Sequence, residues 1–114
     1  MQQIEEPMAE AVIRWLASED GGRRTGPPTA AVYMSTATLA YGDESEVQPG
    51  WPASAEVFSV LIQRVEVLDD GRWRCLVGFL APDLARPWLH DGAQILVLEG
   101  PRLVASGRLI AVFV

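Results

Sequence analysis

The sequence predicts an all-β fold, a small six-stranded antiparallel β-barrel. Runs of β-branched and aromatic residues recur at short spacing, and clusters of glycine, proline and aspartate separate them. No segment has the apolar period of a long helix. Closure into a barrel is favoured because it leaves no unpaired strand edge in a chain so rich in β-forming residues. In a chain of 114 residues we expect a flexible leader at residues 1–10 and a single domain at residues 11–114.

The first two strands flank a loop that is rich in glycine and proline. The β-forming run at residues 11–16 predicts the first strand, and the acidic, glycine-containing cluster at residues 18–22 ends it. Prolines at positions 27 and 28 extend the loop, because proline donates no ladder hydrogen bond. The second strand is predicted at residues 31–40. Residues 42–53 contain three acids, two prolines and Trp51, and they predict the longest loop, a candidate for ligand contact.

A β-hairpin is predicted next, with strands at residues 56–67 and 72–80. The turn between them is Asp69-Asp70-Gly71, and aspartate followed by glycine is a strong hairpin signal because both tolerate a positive φ. The second of these strands alternates with period 2. Its predicted buried face consists of Trp73, Cys75, Val77 and Phe79.

A second hairpin is predicted at the end of the chain. Its strands are expected at residues 94–99 and 103–113, with a glycine- and proline-containing turn at residues 100–102. Between the two hairpins, residues 81–87 predict at most one turn of α-helix or 3₁₀-helix, since prolines bound the segment.

Four tryptophans divide into two groups. Trp15 and Trp73 lie in strand patterns and are expected in the core or at a barrel end, whereas Trp51 and Trp88 follow loop signals. An exposed tryptophan beside arginine is typical of protein interfaces. A loop tryptophan that folds back over a barrel end is the alternative.

Charge and composition narrow the function classes. Fifteen acidic residues and nine basic ones, all arginine, give a net charge of −6, which disfavours a nucleic acid as the main partner because the average field repels phosphates. The sequence has no long apolar run that would indicate a membrane span and no basic start that would indicate a secretory signal. A cytoplasmic protein is therefore expected. The lone Cys75 is expected to be a small buried hydrophobe.

The sequence offers little catalytic chemistry. His90 is the only histidine, and with one cysteine there is no set of residues at zinc-ligand spacing and no histidine-based nucleophile pair. Asp70 and Asp91 each precede a turn glycine, which explains them without acid–base chemistry. No Gly-x-x-x-x-Gly-Lys-Ser/Thr phosphate loop is present, so GTP hydrolysis is not expected. We therefore expect a non-enzymatic protein with no cofactor and no metal.

Two segments carry a family resemblance. Residues 16–27 read Leu-Ala-Ser-Glu-Asp-Gly-Gly-Arg-Arg-Thr-Gly-Pro, and residues 90–107 combine Asp-Gly, a short strand, Glu-Gly-Pro-Arg and a final Gly. In this order and spacing they resemble a loop and the closing hairpin of the third, C-terminal domain of bacterial elongation factor Tu. The resemblance covers about residues 11–114 and is weakest at residues 41–56. It implies a stand-alone barrel of that type without the GTPase domain.

The resemblance also implies candidate contacts. In the elongation factor the matching loop and hairpin lie against the T-stem backbone of aminoacyl-tRNA, and the corresponding residues here are Arg23, Arg24, Thr25, Glu99 and Gly100. This chain departs from the family pattern in having Arg24 in place of a histidine and Pro101 in place of a glycine.

The expected function is a non-enzymatic interaction module for a protein partner, in an adaptor, regulatory or toxin-neutralising role. The predicted partner-binding residues are Gly21, Gly22, Arg23, Arg24, Thr25, Trp51, Glu99, Gly100 and Arg102. An RNA-binding module that retains part of the T-stem contact is the alternative function, and a homodimer is a third possibility. A structural interpretation also stands beside these: the glycines shape a turn, and Glu99 pairs with a nearby arginine.

Overall fold

Six β-strands form one closed antiparallel barrel in the computed structural model, which describes residues 3–40 and 57–113. Around the barrel the strands follow the order β1-β4-β3-β2-β5-β6, and the pairing of β6 with β1 closes the sheet. The predicted six-stranded antiparallel barrel is therefore confirmed. The strands are β1 (Ala9–Trp15), β2 (Tyr33–Ala40), β3 (Phe58–Val67), β4 (Trp73–Phe79), β5 (Gln94–Glu99) and β6 (Arg102–Val112).

The strand bounds lie within two residues of the sequence-based ones, and those of β5 coincide with them. The largest difference in β1 is at its start, which is Ala9 rather than residue 11. Residues 9 and 10, which were predicted to belong to the leader, form the start of β1. In the structure Glu10 points outward and accepts a 2.7 Å hydrogen bond from Arg74 Nη1, which accommodates a charged residue within the strand.

Side chains that alternate inward along the strands fill the barrel. The predicted buried face of β4 is confirmed, since Trp73, Cys75, Val77 and Phe79 are all less than a tenth exposed. The largest fully buried apolar side chains are Ile13, Val60, Ile62, Val77, Ile95, Val97, Val104 and Leu109. Members of this set come from β1, β3, β4, β5 and β6, so the strands share a single core.

The segment before β1 packs against the outside of the barrel. Ile4 is buried, its N–H donates to Gln63 Oε1 at 2.8 Å, and its side chain covers Gly78. A Cβ atom at Gly78 would lie 2.9 Å from Ile4 Cγ2, so the bare glycine is what admits this side chain. Further along, the N–H of Met8 donates to Val77 O at 2.8 Å.

The connections between strands divide between two ends of the barrel. At one end, which we call the loop end, β1, β3 and β5 finish at Trp15, Val67 and Glu99, while β2, β4 and β6 begin. This end carries the loop at residues 16–32 and both predicted hairpin turns. The opposite end carries a helical turn, α1 (Pro82–Ala85), and a 3₁₀ turn, Arg86–Trp88, where the sequence predicted one turn of helix. None of the described helices is long and apolar enough to cross a membrane.

Candidate functional site

The loop at residues 16–32 begins with a tight turn around the paired glycines. The N–H groups of Gly21 and Gly22 donate to Ser18 O at 3.2 Å and Ala17 O at 3.0 Å. Gly21 has a φ of +92°, and a Cβ atom at Gly22 would lie 2.1 Å from Leu16 O. One glycine therefore supplies the left-handed conformation and the other the close backbone approach.

Arg23 is held inside the structure. Its Nε donates to Glu99 Oε2 at 2.8 Å, its Nη1 donates to Gly26 O at 2.8 Å, and its guanidinium lies 5.4 Å from the centre of the Tyr33 ring. The sequence-based alternative, in which Glu99 pairs with a nearby arginine, is what the structure shows. Arg23 and Glu99 tie the loop to the β5–β6 hairpin through Nε of the guanidinium, while Nη1 is engaged within the loop.

Tyr33 completes this group. Its hydroxyl donates to Glu99 Oε2 at 2.5 Å, so one carboxylate oxygen accepts from both Tyr33 and Arg23. Burial first, and then the hydrogen bond to Glu99, raise the pKa of the Tyr33 phenol to about 12. The phenol therefore remains a neutral hydrogen-bond donor at physiological pH. Sequence reasoning missed Tyr33, which stands at the first position of β2.

Two other predicted arginines face the solvent. Arg24 in the loop and Arg102 at the start of β6 are exposed, and neither has a carboxylate partner among the residues of the described ranges. Thr25, which follows Arg24, and Gly100, which belongs to the same hairpin turn as Arg102, are exposed as well. The structure thus separates the predicted residues into two groups. The internal group, Arg23 and Glu99 with Tyr33, fixes the loop against the hairpin, and the external group, Arg24, Thr25, Gly100 and Arg102, faces the solvent.

Trp51 lies outside the described residues. The segment that contains it leaves the barrel after Ala40 and returns at Val57, both at the opposite end from the loop end, since Ala40 pairs with Gln94, the first residue of β5. The predicted surface joined Trp51 with the Gly21–Thr25 loop. The barrel brings together the loop and the 99–102 turn, and it places the two attachment points of the Trp51 segment elsewhere.

An aromatic cluster underlies the loop end. The ring of Trp15 makes edge contacts with Tyr33 and Trp73, with centroids 5.3 and 5.2 Å apart. The guanidinium of Arg64 lies 5.4 Å from the centre of the Trp73 ring. The expectation that Trp15 and Trp73 lie in the core or at a barrel end is confirmed. Trp88, the other described tryptophan, is half-buried against Phe58 at the opposite end.

A hollow of about 320 Å³ adjoins this cluster. One wall is the segment before β2, Pro28 to Ala31, and the other consists of Gln63, Arg64 and Trp73. Sequence reasoning did not single out Arg64. Its position in the sequence does point to this end of the barrel. Arg64 follows Val60 and Ile62 at every second residue, so it lies on the inward-facing side of β3 where the strand reaches the loop end.

Cys75 and Asp70, which were considered for catalysis, are each engaged within the barrel or its turn. Cys75 is fully buried, and burial, followed by the charge of Glu10, raises the pKa of its thiol to about 12, so the thiolate nucleophile is suppressed. Asp70 accepts from the backbone N–H and the side chain of Arg72 within the hairpin turn. Within residues 3–40 and 57–113, no three His, Cys, Asp or Glu side chains are grouped so that they could hold a metal ion.

No protein-family model matches this chain, and neither a curated protein nor a solved structure shows significant similarity to it.

Proposed function

We propose that the chain is a non-enzymatic interaction module that binds a protein partner through the loop end of the barrel. The contact surface consists of Arg24, Thr25, Gly100 and Arg102. The observation that carries the proposal is the pair Arg24 and Arg102, which are exposed and have no carboxylate partner among the described residues. Arginine is enriched at the centres of protein interfaces, where its planar fork forms directional hydrogen bonds.

The distribution of ion pairs supports this surface. Five of the nine arginines, at positions 14, 23, 72, 74 and 86, form ion pairs within the chain. Arg24, Arg64 and Arg102 have no carboxylate within ion-pair distance in the described part of the chain, and all three belong to the loop end. Three exposed arginines that form no ion pair within the described residues therefore lie at one end of the barrel of this acidic protein.

The internal group gives this surface a fixed shape. The contacts among Arg23, Glu99, Gly26 and Tyr33 hold the loop against the β5–β6 hairpin before any partner arrives. A surface that is already ordered loses less conformational entropy on binding, which favours affinity. Gly21, Gly22, Arg23 and Glu99 thus act by positioning their exposed neighbours.

The resemblance to the C-terminal barrel of elongation factor Tu is part of the proposal. The barrel architecture agrees with this resemblance, and so does the Gly-Gly-Arg loop that packs on the closing hairpin. The role proposed for such a small binding domain is that of an adaptor, a regulator or a toxin-neutralising protein.

The test compares how much partner protein is captured from lysate by the immobilised protein and by its Arg24→Ala/Arg102→Ala variant. Loss of two interface arginines is expected to reduce capture at least about tenfold, while the melting temperature stays within a few degrees because neither side chain has a partner within the described structure. The control is Arg86→Ala, which removes an exposed arginine at the opposite end, one that pairs with Asp83. Equal capture by the double variant and the unmodified protein would remove the loop end from the proposal.

A further inference from the structure

The hollow beside Trp73 contains a cation without a counter-ion. Arg64 stacks on the Trp73 ring, and none of the described acidic side chains lies within ion-pair distance of its guanidinium. The Glu66 carboxylate, two positions along β3, is engaged by Arg74 Nη2 at 3.3 Å. Stacking on an aromatic ring orients a guanidinium and leaves its in-plane N–H groups free to donate.

The other polar side chains that line the hollow are neutral. Gln63 Oε1 already accepts from the N–H of Ile4 at 2.8 Å, and this contact assigns the donor nitrogen, Nε2, to the other arm of the amide. Thr29 contributes a hydroxyl, which can donate or accept. No acidic residue is among the described residues that line the hollow. One guanidinium with neutral side chains around it favours a ligand with a single negative charge.

We propose that this hollow binds the carboxylate of a glutamate or aspartate side chain from the protein partner, with Arg64 as the charged contact. The inference rests on the proposed function, since it supplies the chemistry of the partner segment that reaches past the Arg24 surface. The volume of about 320 Å³ is at the small end of ligand sites, which suits one side chain and its adjoining backbone. A ligand with several phosphates would need more than one cation here and would meet the repulsion of a chain of net charge −6.

The proposal is tested with two peptides, acetyl-Gly-Glu-Gly-amide and its neutral analogue acetyl-Gly-Gln-Gly-amide, added to the isotopically labelled full chain. The glutamate peptide is expected to cause saturable NMR shifts confined to residues 28–31, Gln63, Arg64 and the Trp73 indole, and the glutamine peptide none. Arg64→Gln should weaken binding at least about tenfold, because it removes a charge-assisted hydrogen-bonded pair. Arg64→Lys keeps the charge but not the planar fork and should give intermediate affinity.

Arg86→Gln is the matched control, because it removes one exposed positive charge at the opposite end and should leave the affinity unchanged. Absence of saturable shifts with the glutamate peptide would overturn the proposal. So would equal weakening by Arg64→Gln and Arg86→Gln, which indicates general charge attraction. Preserved dispersion of the remaining resonances in Arg64→Gln separates lost binding from lost folding.

The two proposals fail separately. Peptide binding at Arg64 together with undiminished capture by Arg24→Ala/Arg102→Ala would leave the hollow and remove the larger surface. The reverse pair of results would keep the surface and remove the carboxylate site.

Discussion

Glu99 connects two parts of the chain that are far apart in sequence. Its Oε2 accepts from Arg23 Nε in the loop and from the Tyr33 hydroxyl at the start of β2, although its side chain is 38% exposed. These two hydrogen bonds make the Glu99 carboxylate the common acceptor of the loop and of β2. Its charge in turn acts on Tyr33, so the ionisation of the phenol reports on the whole group.

Replacement of Glu99 by glutamine is expected to lower the pKa of Tyr33 from about 12 toward the usual value of a tyrosine. The negative charge that disfavours the phenolate is removed, while burial of the ring persists, so the return is partial. The measurement is an alkaline titration of phenolate absorbance in a Tyr41→Phe background, which leaves Tyr33 as the only tyrosine. An unchanged midpoint would contradict the role assigned to Glu99.

The same raised pKa affects stability at alkaline pH. The unfolded chain releases the tyrosine proton near its usual pKa, whereas the folded chain retains it up to about pH 12. The unfolded state therefore binds fewer protons between these values, and the free energy of unfolding falls as the pH rises through this window.

At the scale of elements, the loop at residues 16–32 depends on two glycines for different reasons. Gly21 needs a positive φ but has open space around its Cα, whereas Gly22 lies where a Cβ would overlap Leu16 O and Ala17 O. Both contacts at Gly22 are to backbone atoms, which cannot rotate away. The two positions therefore form a matched pair for substitution.

Gly21→Ala is expected to lower the free energy of unfolding by about 1–2 kcal/mol, the cost of a left-handed alanine. Gly22→Ala is expected to cost more and to displace the loop, with loss of the 2.8 Å contact between Arg23 and Glu99. Denaturant unfolding measures both losses of stability. Withdrawal of the Arg23 cation, which lowers the pKa of Tyr33, is expected to raise the Tyr33 titration midpoint in the Gly22→Ala variant. Equal destabilisation by the two alanines would show that the backbone around residue 22 adapts freely.

The sequence predicted most of the barrel because its signals are local. Period-2 alternation in β4 and the Asp-Gly turn before it identified a hairpin that the structure confirms, with Gly71 at a φ of +87°. The contact between Arg23 and Glu99 was harder to predict. Arg23 and Glu99 are 76 positions apart, so their pairing depends on how the barrel closes and not on any local pattern. Arg64 was missed although it continues the alternation of Val60 and Ile62, because the Trp73 ring beneath its guanidinium belongs to the paired strand β4.

At the scale of the whole molecule, charge separates the two candidate partner classes. The loop end carries Arg24 and Arg102, but it also carries exposed Glu19, Asp20 and Asp69. These acids lie at the same end of the barrel as the arginines, and their charge repels a phosphate backbone, while a protein partner with mixed charge can complement both signs. The whole-molecule field and the local arrangement therefore both favour a protein over RNA.

We expect bulk tRNA to show no saturable retention by this protein in filter binding at about 50 mM salt, and none at about 200 mM. The Arg23 guanidinium is already paired with the Glu99 carboxylate, which offsets the charge that a phosphate contact would use. Retention at the lower salt concentration that falls steeply at the higher one would contradict this expectation and favour the RNA-binding alternative.

Every strand of the barrel is hydrogen-bonded on both sides, since the pairing of β1 with β6 completes the ring. The ring therefore offers no free strand edge, and a partner of the proposed kind would be recognised through side chains and turns. Recognition through a few exposed side chains is separable from the core. We therefore expect exchanges at Arg24, Thr25 or Arg102 to change the proposed binding while Ile13, Ile62 and the other buried residues continue to specify the same barrel.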